Sequence, residues 1–230
     1  MLASLLDDMG VFMGTNRNSS ADAMGFVDFL DRWINPVWTP SQPLSPLDVE
    51  SMRAEFRDSV AAHRAAVPAG VSKWGWKEPR TMYLLPFLRE EFPDLRFLHV
   101  VRDGRDMAFS TNQNQLRKHG AAVLGKPTHT GSPPILAAEL WSRANIAAAD
   151  FGETRLQKNY LRIRFEDLCR APDAAADRVA AFAGVQRPTQ MQWQVAPPAT
   201  MGRWQHHASP ELLEVISDQA GPGLKKFGYI

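Results

Sequence analysis

A short apolar run that ends in a cluster of charges is the feature that most constrains the fold of this chain. Residues 95–101 are rich in leucine and valine, and a charged turn containing glycine follows at residues 102–104. This pattern predicts a buried parallel strand and a tight turn. Residues 105–117 then predict a helix. Strand, turn and helix in this order indicate an α/β protein with a parallel sheet.

Arg102 and Ser110 are the candidate ligand-binding residues of this segment. Arg102 lies where the strand ends, and Ser110 follows eight residues later, about two turns into the predicted helix. An arginine fork and a hydroxyl beside the N–H groups that open a helix suit a phosphate. The alternative is that Arg102 pairs with Asp103 or Asp106 and only caps the turn, and the spacing alone leaves both interpretations open.

A second strand end is predicted near Lys77. Trp74 and Trp76 alternate with smaller or polar residues, which predicts a short strand up to Lys77, and Pro79 ends it. A helix over residues 81–92 follows. Lys77, Glu78 and Arg80 therefore lie at the carboxyl edge of the predicted sheet, where open α/β sheets bind their ligands.

These segments resemble the sulfotransferases that use PAPS (3′-phosphoadenosine 5′-phosphosulfate), in their bacterial form. Residues 101–110 read V-R-D-x-R-D-x-x-x-S, which is similar to the 3′-phosphate-binding segment of that family. Residues 77–80 resemble its K-[DE]-P-R segment, residues 164–168 its [RS]-Y-E-D-L segment, and residues 202–204 its G-x-W segment. The resemblance implies an α/β three-layer fold, a parallel sheet flanked by helices and related to P-loop NTPases, in a single domain over residues 1–230.

The resemblance also implies a reaction and roles for the residues of the second strand end. A sulfuryl group passes from PAPS to a hydroxyl or amine of a carbohydrate, lipid or small metabolite, without a metal. Lys77 is expected to neutralise the leaving phosphate, and Glu78 to act as the base, because the family's histidine position falls on Pro79. Glu78 in an ion pair with Lys77 or Arg80 is the alternative, and Arg80 supports either the phosphates or only Glu78.

The remaining cofactor contacts follow from the same resemblance. Arg102 and Ser110 are expected to hold the 3′-phosphate, and Arg203 and Trp204 to close over it. Phe165 occupies the position of an aromatic residue that contacts adenine, although ordinary core packing explains it equally well. Asp22 and Asp28 are weaker candidates for the base, with a helix cap or a solvated charge as the simpler explanation.

The start of the chain departs from the family pattern. In that family, a strand and a glycine-containing loop that cradles the 5′-phosphosulfate precede the segment that residues 5–14 resemble. Neither the strand nor the loop is found before residue 5 in this sequence. We expect either that Met1 is an internal methionine or that the protein is a truncated relative. A non-catalytic sulfotransferase-like binding protein and a kinase-like phosphotransferase stay open as alternative functions.

The amino-acid composition limits the kinds of binding partner and the compartment that we expect for this protein. The 230 residues carry 26 Lys and Arg against 25 Asp and Glu, so no overall basic charge points to nucleic acid. The single cysteine, Cys169, fits a reducing compartment and predicts a cytoplasmic protein. No apolar run approaches the ~20 residues that span a bilayer. The acceptor and the oligomeric state have no readable signal in the sequence.

Overall fold

The computed structural model describes residues 2–188 and 195–230. Its α-helices, in chain order, are α1 (Leu2–Asp8), α2 (Val27–Val37), α3 (Pro46–Ala65), α4 (Leu85–Glu91), α5 (Gly104–Ala108), α6 (Asn114–Leu124), α7 (Pro133–Phe151), α8 (Phe165–Arg170), α9 (Pro172–Ala183), α10 (Trp204–His207) and α11 (Pro210–Lys226). The strands are β1 (Phe97–Val101) and β2 (Tyr160–Arg164). Short 3₁₀ segments at Met24–Phe26, Pro79–Leu84 and Gln157–Asn159, and a π-helical segment at Gly152–Leu156, complete the elements.

The chain divides into two compact units. The first comprises Met1–Glu91 and Ala171–Val195, and the second comprises Phe92–Arg170 and Ala196–Ile230. The single domain over residues 1–230 stays a prediction. Among the described residues, no helix combines the length and the apolar character needed to cross a membrane.

The first unit is built around an aromatic core. The ring of Phe26 stacks on Trp76 at 4.7 Å between centroids, and Phe56 packs against Phe29 at 5.2 Å. α3, which supplies Phe56, begins with a reciprocal capping box in which Ser45 accepts from the Asp48 backbone N–H and Asp48 accepts from that of Ser45. This core supports the segment that leads to Lys77.

The strand predicted to end at Lys77 was wrong in extent. Trp74 forms one isolated parallel bridge with Phe12, and the segment continues to Lys77 without a ladder. The Phe12 N–H donates to the Lys73 carbonyl at 3.0 Å and the Gly75 N–H to the Phe12 carbonyl at 2.9 Å. The Lys77 carbonyl instead accepts from the Ala23 N–H at 2.7 Å. Lys77 is therefore held by the loop that precedes α2 rather than by a sheet.

The second unit contains the sheet predicted from the apolar run. β1 and β2 pair in parallel, with Phe97 opposite Tyr160 and Val101 opposite Arg164. Val101 and Ile163 are 1% and 2% exposed, as expected for strands that helices cover. α7 and α11 pack together in the hydrophobic cluster that also contains Val101. Arg102 consequently follows the last residue of β1, as the sequence predicts.

The helix predicted over residues 105–117 was wrong, because it is interrupted. α5 ends at Ala108 and α6 begins at Asn114, so Ser110 lies in the connection between two helices. The Gln113 side-chain amide lies within hydrogen-bond distance of the Met107, Ala108 and Ser110 carbonyls, at 3.2, 3.3 and 2.8 Å. A side chain that satisfies these carbonyls removes the need for the helix to continue. Apolar and basic residues alternate over residues 160–168, which predicts a further strand of the sheet. That prediction was wrong in extent, because β2 ends at Arg164 and Phe165 begins α8.

His99 lies inside β1 in a fixed, uncharged state. It is 3% exposed, and its Nε2 lies 2.9 Å from Asn145 Oδ1, while Nδ1 lies 2.8 Å from the Tyr160 hydroxyl. Asn145 donates its amide to the Trp141 carbonyl at 2.8 Å, which leaves Oδ1 to accept from the imidazole. Burial lowers the pKa of His99 to about 4.

We expect this histidine to make folding sensitive to acid. The folded-state pKa lies below the ordinary value of 6.5, so the unfolded chain binds the proton more tightly and stability falls as pH drops from 6.5 toward 4. The loss at pH 4 amounts to about 3 kcal/mol. Urea unfolding at pH 7 and pH 4 measures it. A His99→Gln variant keeps hydrogen-bonding groups but does not titrate, so an equal pH-dependent loss in both proteins would contradict the assignment.

Candidate functional site

The turn between β1 and α5 is fixed by its own side chains. Asp103 caps α5 by accepting from the Arg105 backbone N–H at 2.9 Å, and its own N–H donates to Glu166 Oε1 at 3.0 Å. A Cβ at Gly104 would collide with the ring of Trp141, so only glycine lets this turn approach α7 so closely. The start of α5, and with it the position of Arg102, is thereby set.

A buried carboxylate joins this turn to the segment before α10. Asp106 is 1% exposed and accepts from Arg102 through Nη2 at 2.8 Å and Nε at 3.3 Å. The same carboxylate accepts from the backbone N–H groups of Gly202 at 2.8 Å and Trp204 at 3.3 Å. Pairing of Arg102 with Asp106 is one of the alternatives that the sequence left open.

Arg102 also binds Thr200, which is exposed. Nη1 donates to the Thr200 hydroxyl at 3.2 Å, and Nη2 donates to the Thr200 carbonyl. Arg203 donates to that same carbonyl through Nε at 3.1 Å and to the Phe109 carbonyl through Nη1 at 3.0 Å. Two guanidinium groups thus converge on one neutral oxygen, which concentrates positive charge there.

The other predicted cofactor residues of this unit lie beside these groups. The Arg102 guanidinium lies over the Phe165 ring, 5.2 Å from its centroid, and Arg105 lies 4.1 Å from the centroid of a Trp204 ring. Ser110 follows Phe109, and its hydroxyl accepts from the Asn112 N–H at 3.3 Å. We call the group formed by Arg102, Asp106, Ser110, Phe165 and residues 200–204 the Arg102 corner.

Lys77 lies in the first unit in an ion pair with Asp22. Its ammonium also donates to the Ser20 carbonyl at 3.0 Å. The second oxygen of Asp22 accepts from the Asn18 side chain at 2.9 Å. Lys77 and Asp22, both suggested by the sequence, are therefore brought into contact.

Glu78 and Arg80 form a buried pair. One Glu78 oxygen accepts from the Arg80 backbone N–H at 2.7 Å and the other from its Nε at 2.8 Å. Arg80 forms a second ion pair with Asp31. Burial raises the pKa of Glu78, and the bonds from Arg80 partly oppose that shift. Glu78 is thus both a buried ion-pair partner and a carboxylate with an increased affinity for protons.

Sequence reasoning missed two residues that organise these groups, Asp31 and Thr200, and part of the role of a third, Asp106. The spacing of four residues between Arg102 and Asp106 was a usable signal for the pair, but nothing local indicated that Asp106 also binds residues 202 and 204. Asp31 and Thr200 meet their arginines from 49 and 98 residues away, so no sequence spacing could reveal them. In the described parts of the chain, no group of three or more His, Cys, Asp or Glu side chains could hold a metal ion.

Parallel strands with cationic groups at a strand end define an α/β protein suited to an anionic ligand. Residues 14–189 match the sequence model described as "Sulfotransferase family", and the chain belongs to that family. The predicted sulfotransferase family is thereby confirmed, whereas the use of PAPS and the bacterial type stay predictions. A comparison with curated proteins gives no significant sequence match.

A solved structure confirms the fold class. The chain is similar to the structure titled "Sulfotransferase Domain from the Curacin Biosynthetic Pathway", with a TM-score of 0.51 and 12% identity. The match covers 95% of this chain and 93% of that one. Identity at this level speaks for the fold alone, and the predicted α/β sulfotransferase-like fold is confirmed.

The buried Glu78–Arg80 pair gives a stability prediction. Glu78→Gln keeps the shape but leaves Arg80 with less negative charge in a site where the Glu78 side chain is 5% exposed, so we expect a loss of about 2–3 kcal/mol. Glu90→Gln is the matched control, because Glu90 pairs with Arg53 at 64% side-chain exposure and should cost less than about 1 kcal/mol. Urea unfolding of both variants measures the difference. Equal costs would contradict the pairing.

Proposed function

We propose that this protein transfers a sulfuryl group from PAPS to a hydroxyl or amine of a carbohydrate, lipid or small metabolite, and releases 3′-phosphoadenosine 5′-phosphate (PAP). Membership of the sulfotransferase family supports sulfuryl transfer in general. The observation that supports PAPS as the donor is the Arg102 corner, where two arginines donate to the neutral carbonyl oxygen of an exposed residue, Thr200. A cytoplasmic location remains part of this proposal.

The 3′-phosphate takes the place of Thr200 at Arg102 in this proposal. A phosphate dianion is a stronger acceptor for a guanidinium than a neutral carbonyl, and its oxygens match the planar fork. Arg203 and the Ser110 hydroxyl add donors, while Phe165 and Trp204 offer aromatic surface for the adenine ring. Asp106 keeps its bonds to Arg102 throughout.

Lys77 and Glu78 carry the chemistry in this proposal. The acceptor oxygen or nitrogen forms a bond to sulfur, the bond from sulfur to the bridging oxygen breaks, and PAP leaves with that electron pair. Lys77 neutralises the charge that develops on the bridging oxygen, which requires it to exchange Asp22 for the donor. Glu78 takes the acceptor proton, for which its raised pKa is suited. Arg80 holds Glu78 in place and gives up one of its bonds as the proton arrives.

A non-catalytic sulfotransferase-like binding protein is the second candidate. The observation that favours it is that Lys77 and Glu78 are both paired within the chain, with Asp22 and Arg80. Such a protein would bind PAP without turning over PAPS. The two experiments below separate binding from turnover.

Binding of PAP and of adenosine 5′-monophosphate (5′-AMP), compared by calorimetry, tests the donor. The two ligands differ only in the 3′-phosphate, so we expect PAP to bind at least about tenfold more tightly. Arg102→Gln should abolish this ratio and leave 5′-AMP binding unchanged. Arg170→Gln is the control in the same unit, since Arg170 pairs with Asp167 at 71% side-chain exposure. Equal affinity for both ligands in the unmodified protein would rule out the donor assignment.

Release of PAP from PAPS, measured with a panel of hydroxylated and amino acceptors, tests the reaction. Lys77→Met should lower kcat by about 10²–10³-fold, because a charge that stabilises the transition state is lost, with little change in PAP affinity. Lys73→Met is the control from the same segment, since Lys73 donates to the Ala183 carbonyl. A protein that binds PAP but turns over PAPS with none of these acceptors would favour the non-catalytic candidate.

A further inference from the structure

Asp106 is a carboxylate almost without access to water. It is 1% exposed, and a charge taken out of water is retained only where hydrogen bonds and opposite charge compensate for the lost hydration. Arg102 supplies the opposite charge, and the Gly202 and Trp204 N–H groups supply two further donors. A carboxylate so fully engaged has no capacity left for a substrate, so its role must lie in what it holds.

The first group that Asp106 holds is one edge of the Arg102 guanidinium. Its bonds to Nε and Nη2 fix that edge, and because the guanidinium is planar, they also orient the opposite edge. On that other edge of the guanidinium, Nη1 donates to the Thr200 hydroxyl and Nη2 donates to the Thr200 carbonyl, and Thr200 is an exposed residue. The donors that a ligand can reach are therefore aimed by a residue that the ligand does not touch.

The second group is the segment that carries Arg203. Asp106 binds the backbone on both sides of Arg203, at Gly202 and Trp204. Gly202 has φ = 77°, in the left-handed region, which turns the chain there. The turn directs the Arg203 side chain to the carbonyls of Thr200 and Phe109. One carboxylate thus positions both guanidinium groups of the Arg102 corner.

We propose that Asp106 is a positioning residue for the binding of a phosphate monoester at Arg102, acting through Arg102 and the Gly202–Trp204 backbone. This inference rests on the proposed function, since the phosphate meant is the 3′-phosphate of PAP. It makes a prediction opposite in sign to simple electrostatics. A negative charge beside an anion site repels the ligand, so by charge alone its removal should tighten binding. If Asp106 acts by positioning, its removal weakens binding.

The test is calorimetry of PAP and 5′-AMP with Asp106→Asn. We expect PAP to bind at least about tenfold more weakly, because an amide group turned toward the N–H donors of Arg102, Gly202 and Trp204 releases at least one of them. Binding of 5′-AMP should weaken much less than binding of PAP, whereas a general loss of structure would weaken the binding of both ligands equally. Glu139→Gln is the matched control: Glu139 is a partly buried carboxylate of the same unit that pairs with Lys126 at 2.6 Å and is not part of the Arg102 corner, so this variant should preserve the PAP to 5′-AMP ratio.

A second variant covers the case in which Asp106→Asn does not fold. Asp106→Glu keeps the charge but moves it by one methylene. A positioning role predicts that this variant binds PAP more weakly, whereas a role through charge alone predicts unchanged PAP affinity. If the unmodified protein prefers PAP and Asp106→Asn binds it as well or better, the positioning role is overturned while the proposed function stands. If the unmodified protein shows no preference for PAP, the proposed function fails, and the positioning role fails with it.

Discussion

The bonds that converge on Asp106 are the interaction on which the Arg102 corner depends. This carboxylate lies in α5, which follows β1 after a tight turn. It binds the guanidinium of Arg102, just after β1, and the backbone N–H groups of Gly202 and Trp204, about a hundred residues later in the chain. The parallel pairing of β1 and β2 places the end of β1, and the packing of Gly104 against Trp141 places the start of α5. With both fixed, one buried charge can hold two distant segments together. The cationic groups are then in place before any ligand arrives, which lowers the entropy lost on binding.

Arg102 and Lys77 are both already paired within the chain, so each would have to exchange a partner in order to bind a ligand. Arg102 has one partner that is buried, Asp106, and one that is exposed, Thr200. Lys77 has Asp22 and the Ser20 carbonyl as partners, with its own side chain 38% exposed. An exposed partner is exchanged for a stronger acceptor at little cost, whereas a buried partner is not. In the proposed function, a ligand replaces Thr200 at Arg102 and Asp22 at Lys77, while Asp106 stays bound to Arg102; the Asp22 side chain is 20% exposed and that of Asp106 is 1% exposed.

Local patterns in the sequence predicted part of this structure. The apolar run at residues 95–101 and the alternation over residues 160–168 predicted the existence of β1 and β2, because strand patterns are local, although both predicted segments are longer than the observed strands. The same reasoning failed for residues 105–117, since the interruption depends on the Gln113 side chain, whose amide lies within hydrogen-bond distance of the Met107 and Ala108 carbonyls at the end of α5. It also overextended the strand near Lys77, because alternation of Trp74 and Trp76 marks burial and not the presence of a partner strand. The contacts of Asp106 with Gly202 and Trp204 depend on tertiary structure and have no sequence signal.

A crystal structure of this protein with PAP bound would test the account most directly. We predict that the 3′-phosphate accepts hydrogen bonds from the Arg102 edge that now binds Thr200, with the Asp106 bonds to Arg102, Gly202 and Trp204 unchanged. A 3′-phosphate bound away from Arg102, or one that reaches Arg102 only after the Asp106 pair has broken, would contradict it.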